Sequence, residues 1–170
     1  APLPLQRAWI LWEVVSTLEA ASAKLTVEVC PAEAVSFEAA LSNDFESIAA
    51  SIGEVNSRVA ECFTPEDSRM IHEAIERSVG HSRLNARIAD KLRDWLVMAG
   101  RGALLRMPKH KRATSQLVVH FGQLLHNQCK FDEVELLYRE ALQTRRAVLG
   151  NAHEQTITMI NNLAQVLKDQ

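Results

Sequence analysis

The sequence predicts a mainly α-helical protein whose carboxy-terminal third is built from repeated helical hairpins. Three observations carry this reading. From about residue 32 onward, apolar residues recur at spacings of three and four, the period of a helix with one buried face. Residues 114–128 can be laid on residues 156–170 without a gap, an offset of 42 (156 − 114). One short run alone alternates: in residues 24–30, Leu25, Val27 and Val29 are interleaved with Thr26 and Glu28, which predicts a strand.

A chain of 170 residues, 47% hydrophobic and 24% charged, is long enough for two small units with cores of their own. With 19 Lys and Arg against 21 Asp and Glu, the net charge of -2 offers no field to draw in nucleic acid or an anionic membrane, so neither is expected as a partner. No apolar run approaches about eighteen residues, and residues 1–7 lack the basic and then apolar layout of a secretory signal. Cys30, Cys62 and Cys129 are odd in number, widely spaced and without a C-x-x-C pair. A reducing, cytoplasmic setting is expected from these features. The chain begins without Met and reaches Gln170 inside a helical pattern, so a fragment of a longer protein is expected as well.

Taken in order, residues 1–30 hold a helix, Ala8–Glu19, with Trp9, Trp12 and Val15 at helical spacing and Leu11 and Leu18 less regularly placed, followed by the strand that Pro31 stops. A helix and a strand are half of an α/β unit. Residues 31–107 read as a helical region. Pro31 opens a first helix, Asn43 or Asp44 caps a second carrying Phe45, Ile48 and Ile52, and Gly53 ends it. Thr64 followed by Pro65, Glu66 and Asp67 opens a third, because the hydroxyl accepts an orphan amide and the acids sit at the positive end of the dipole; Gly80 closes it. Leu84, Ile88, Leu92, Trp95, Leu96, Ala99 and Ala103 then define one long amphipathic helix over residues 83–106. Pro108 and the basic Lys109, His110, Lys111 and Arg112 break the pattern, so residues 108–112 are read as a solvated linker. They lack the interleaved aromatics of a nucleic-acid platform.

Residues 113–170 hold the repeat. At the offset of 42, Thr114, Gln123, Leu125 and Gln128 meet Thr156, Gln165, Leu167 and Gln170, while Phe121, Gly122 and Leu124 meet Leu163, Ala164 and Val166. Between the copies, Val134, Leu137, Tyr138, Ala141, Leu142 and Val148 make a second amphipathic helix, Phe131–Leu149. Gly122 and Ala141 are small where paired helices must come close, and Tyr138 fills the space between repeats. Gly122, Leu125, Tyr138 and Ala141 resemble tetratricopeptide signature positions. The longer period, with Phe131-Asp132-Glu133, Leu137 to Leu142 and Leu149-Gly150-Asn151-Ala152-His153, resembles the kinesin light chain and nephrocystin type of repeat. Cys129 stands where that family has Gly, Val134 where it has Ala, and Glu154 where it has Pro. The resemblance covers one repeat and the first helix of the next. It implies repeat packing by Gly122, Leu125, Tyr138, Ala141, Ala164 and Leu167, and a groove lined by the first helix of each pair. His120, Gln123, Asn127, Asn161, Asn162, Gln165 and Asp169 are then the partner-binding residues. Asn161, Asn162 and Asp169 lead, since amides both donate to and accept from an extended peptide backbone. The unfinished repeat also leaves a surface for self-association.

Residues 7–13, Arg7-Ala8-Trp9-Ile10-Leu11-Trp12-Glu13, with the strand behind them, resemble the late helix and strand of Toll/interleukin-receptor (TIR) domains. In members that cleave NAD the matching glutamate is catalytic, which by position is Glu13. The resemblance implies an alternative: a fragment of an NAD-cleaving enzyme whose repeats mediate assembly. Against it, the strands and loops of a nucleotide pocket are absent from these residues, and no Gly-rich phosphate loop, G-x-S-x-G or paired-carboxylate motif occurs. Glu13 then reads as a solvated helix residue, and Trp9 and Trp12, three apart, as core. His120 and His126, six apart, fall on different helix faces and do not form a metal pair. The function expected is therefore a non-catalytic scaffold or adaptor for other proteins, without cofactor or metal.

Overall fold

A computed structural model describes residues 7–20 and 26–170. The described residues form nine α-helices: α1 (Ala8–Glu19), α2 (Ala34–Asn43), α3 (Phe45–Gly53), α4 (Pro65–Ser78), α5 (His81–Arg106), α6 (Lys109–Thr114), α7 (Gln116–Asn127), α8 (Phe131–Leu149) and α9 (Glu154–Asp169). A mainly helical chain was expected and is what the chain forms. The bounds of α1 and α8 coincide with those read from the spacing of apolar residues. Pro31 opens a 3₁₀ turn, Pro31–Glu33, that leads into α2.

The expected strand needs correction. Thr26–Cys30, its described part, forms no ladder, and Lys24 and Leu25 lie outside the described residues. Alternation alone does not make a strand: its amides and carbonyls need a neighbouring edge, and a single segment has none. The pairing near α1 is instead an isolated parallel bridge between Arg7 and Glu61, where Ala8 N donates to the Glu61 carbonyl at 3.0 Å.

The helix ends follow local chemistry. Thr64 Oγ1 accepts from Asp67 N at 3.1 Å and opens α4, as its sequence predicts. Ser115 Oγ caps α7 through Leu117 N at 3.1 Å, and His153 Nδ1 caps α9 through Gln155 N at 3.1 Å. At the end of α7, Lys130 N donates to Leu125 O at 3.0 Å and Cys129 N to His126 O at 2.8 Å, with Cys129 in the left-handed region at φ 57°. This turn form normally takes glycine, and Cys129 stands where the resembled repeats have it.

The chain divides into two compact units, one of residues 1–30 and 47–95, the other of residues 31–46 and 96–170. This grouping differs from the boundary read at Pro108. The stretch read as a linker forms α6, which packs against α8 and buries Ala113. In the first unit α1 packs on α4, and Leu11, Val15, Ile71, Ile75, Leu84 and Ile88 are buried. Trp12 is half-buried, and the Trp9 side chain is not described. In the second unit α7, α8 and α9 form successive hairpins. Val119 meets Tyr138 and His126 meets Phe131, while Ala113 beyond the start of α7 meets Arg145; α7 and α8 are therefore antiparallel. Arg145 meets Gln155 and Glu135 meets Gln170, so α8 and α9 are antiparallel too. It follows that α7 and α9, the two copies of the repeat, run in the same direction.

Candidate functional site

The site is built on α7 and α9, and what fixes their spacing is the packing of α8 between them. A Cβ placed on Gly122 would collide with the ring and hydroxyl of Tyr138. The absence of a side chain at Gly122 is what lets the phenol lie on α7, where its hydroxyl donates to the Val119 carbonyl at 3.1 Å. Burial pushes the Tyr138 hydroxyl up to about 12, so it remains a donor throughout the neutral range. Leu125 and Ala141 are buried beside this contact. Four of the six expected packing residues, Gly122, Leu125, Tyr138 and Ala141, are thus brought into the hairpin interior. Ala164 and Leu167, their counterparts on α9, are exposed.

Sequence reasoning missed the residue that ties the hairpins together. Arg145 is 1% exposed, and its guanidinium donates through Nε to Ala113 O at 2.7 Å, through Nη1 to Gln155 O at 2.8 Å and through Nη2 to Ser115 O at 3.5 Å. Burial lowers its affinity for the proton, yet the fork meets carbonyls from the end of α6, the cap of α7 and the first turn of α9. The signal was present: Val134, Tyr138, Ala141 and Arg145 follow one another at spacings of four, three and four, which places Arg145 on the buried stripe of α8.

The seven expected partner-binding residues separate into three groups. Gln123, Asn127 and Asn161 are exposed. Gln165 and Asp169 are engaged within the chain: Gln165 Nε2 donates to both carboxylate oxygens of Asp169 at 2.9 and 2.8 Å, and His126 Nε2 of α7 lies 2.8 Å from Asp169 Oδ2. The hydrogen bond from Gln165, then that from His126, hold the Asp169 carboxyl below the usual carboxylate range. His120 and Asn162 are half-buried. His120 stacks on Phe45 with ring centroids 6.4 Å apart, and its Nε2 is 3.6 Å from Glu46 Oε1, so the start of α3 covers part of the face read as open. Asn162 keeps a buried Nδ2 without a hydrogen-bond partner, and so does His120 at Nδ1. The two residues occupy equivalent places on α7 and α9, 42 apart (162 − 120).

No family model matches the chain, and no curated protein or solved structure matches it. Glu13, the residue carried over from the TIR resemblance, is exposed on α1, where its carbonyl accepts from Thr17 Oγ1 at 2.8 Å. Among the described residues no group of three or more His, Cys, Asp or Glu is placed to hold a metal ion, and no helix is long and apolar enough to cross a membrane.

Proposed function

We propose that the chain is a non-catalytic interaction scaffold, a tetratricopeptide-like repeat of the kinesin light chain and nephrocystin type, which takes up partner peptides along α7 and α9. One observation carries the reading: the two copies of the internal repeat both pack on α8, run in the same direction and meet at their carboxy-terminal ends through His126 and Asp169. A repeat arranged in this way aligns equivalent side chains into a strip, which suits an extended ligand better than a small molecule. Gln123, Asn127 and Asn161 supply exposed amides to that strip. The buried Asn162 Nδ2 lacks a partner, which costs about 1–3 kcal/mol, and a peptide carbonyl satisfies it once the amide turns outward. Cytoplasmic location belongs to the same reading, supported by three cysteines that stand as free thiols.

A peptide array probed with the purified chain tests this. Peptides captured by the wild-type chain are expected to lose about tenfold or more in affinity with the double variant Asn161→Ala, Asn162→Ala, at unchanged helical circular dichroism. Capture that survives the double change removes the strip from consideration as the binding surface.

A further inference from the structure

The net charge of -2 is an average over the chain, and the charges are unevenly spread. Residues 95–131 contain no Asp or Glu, although the chain has 21, while Arg101, Arg106, Lys109, Lys111, Arg112 and Lys130 all fall among them. Lys109, His110 and Lys111 are exposed on α6. Among the described residues no carboxylate is paired with Lys109 or Lys111.

Large apolar side chains stand out of the same surface. Met98 and Leu105 are 72% and 68% exposed and share one face of α5 with Arg101, at spacings of three and four. On α8, Leu136 is 71% exposed and lies three residues after Glu133 and four before Glu140. Glu133 pairs with Arg101 of α5 at 2.5 Å and Glu140 with Arg112 of α6 at 3.8 Å, so Leu136 sits on the face of α8 turned toward both helices. The two acids of the patch are matched within it, and its surplus charge is positive. Its apolar residues protrude, and the cavity beside them, lined by Lys109, Arg112 and Leu137 between α6 and α8, measures about 10 Å³, room for one water. A protein partner needs a seat of complementary shape, whereas a bilayer is soft and takes protruding apolar groups in below its headgroups. Cations beside those groups meet the phosphates and carboxylates of anionic lipids.

We propose that the end of α5, α6 and the adjoining face of α8 form a peripheral docking surface for an anionic lipid bilayer. Met98, Leu105 and Leu136 enter the interface, and Lys109 and Lys111 hold the headgroups. The buried Ala113 anchors α6 on α8 and so presents both lysines outward. Attachment is reversible, because the patch has only a few residues of each kind. This surface stands apart from the peptide strip on α7 and α9, so either can fail alone.

Flotation of the full chain with unilamellar vesicles tests this. Vesicles of phosphatidylcholine with about one third phosphatidylserine are expected to carry the chain, and vesicles of phosphatidylcholine alone to leave it in solution. The partition coefficient is expected to fall by about fivefold or more between about 0.1 M and about 0.5 M salt. Lys109→Glu with Lys111→Glu is expected to weaken binding by about tenfold or more. Arg83→Glu with Lys91→Glu, an equal change of charge on α5 in the first unit, leaves it within about twofold of wild type. Met98→Ser with Leu105→Ser keeps the charge and is expected to weaken binding by about fivefold or more. All these positions are exposed, so the variants keep their helical circular dichroism. The proposal is overturned if anionic vesicles do not bind or neutral ones bind as well, if the paired lysine variant is no weaker than the control pair, or if the serine variant binds like wild type. It is also overturned if soluble polyglutamate displaces the vesicles at matched charge, because the patch then serves an acidic protein segment.

Discussion

At the scale of the residue, the contact of Gly122 with Tyr138 decides how close α7 and α8 come. A glycine in mid-helix ordinarily costs about 1 kcal/mol relative to alanine, so Gly122→Ala on a free helix would stabilise it. Here the added methyl meets a ring held by its own hydrogen bond to Val119 O. Overpacking of about 1–3 kcal/mol outweighs the gain in propensity. Urea denaturation is expected to show Gly122→Ala less stable than wild type by about 1 kcal/mol or more, and to show no such loss in a Tyr138→Ala background. An equal loss in both backgrounds means that the ring is not the cause. Both residues were legible in sequence as a small and a large position. That the ring lies on the glycine was a matter of which faces met.

At the scale of the element, Arg145 links α6, α7 and α9 through three carbonyls, with no carboxylate paired to it among the described residues. Its replacement by a methionine of similar length retains apolar volume but strips the partner from the buried contact at Ala113 O and from the part-buried ones at Gln155 O and Ser115 O. A buried carbonyl left alone costs about 1–3 kcal/mol and a part-buried one less, so Arg145→Met is expected to lower stability by about 2 kcal/mol. Arg145→Lys keeps the charge without the fork and is expected to fall between the two. Chemical denaturation of the three proteins ranks them; an Arg145→Met variant as stable as wild type would show that the carbonyls find other partners. Helix periodicity placed Arg145 on the buried stripe, but nothing in a list of neighbours along the chain named the carbonyls that converge on it.

At the scale of the whole molecule, the two units carry different reporters. Trp9, Trp12 and Trp95 all belong to the first unit, and the single tyrosine, Tyr138, to the second. The first unit also contains His81, 3% exposed, whose Nδ1 lies 2.7 Å from the oxygen of Ser57, itself buried and held through its backbone N–H by Asn85 Oδ1 at 2.9 Å. Burial first, then the neighbouring His72 and Arg58, lower the His81 pKa below its ordinary value. A histidine with a lowered folded pKa binds more protons when unfolded. Its contribution is therefore whole above the ordinary histidine pKa of about 6.5 and is lost as pH falls through the folded value. The urea midpoint followed by tryptophan emission is expected to fall between about pH 7 and pH 5, and His81→Gln is expected to flatten that slope. A slope unchanged by His81→Gln assigns the titration to another group.

The sequence by itself determined the helices, because a period of 3.6 and a cap such as Thr64 are local properties that no distant neighbour need supply. It also determined the repeat, since an offset of 42 is visible wherever the copies lie. Tertiary structure decided the rest. It left 26–30 without a strand, since pairing needs a second edge. It made the basic stretch at Lys109 a helix that rests on α8 through the buried Ala113, with Lys109, His110 and Lys111 exposed as a solvated stretch would have them. It covered His120 with Phe45, which is 75 residues away in sequence (120 − 45), and left Leu167 bare while burying Leu125. Two side chains of the same type at equivalent places in a repeat differ only in what lies above them, and that is a property of the assembled helices and not of the residues.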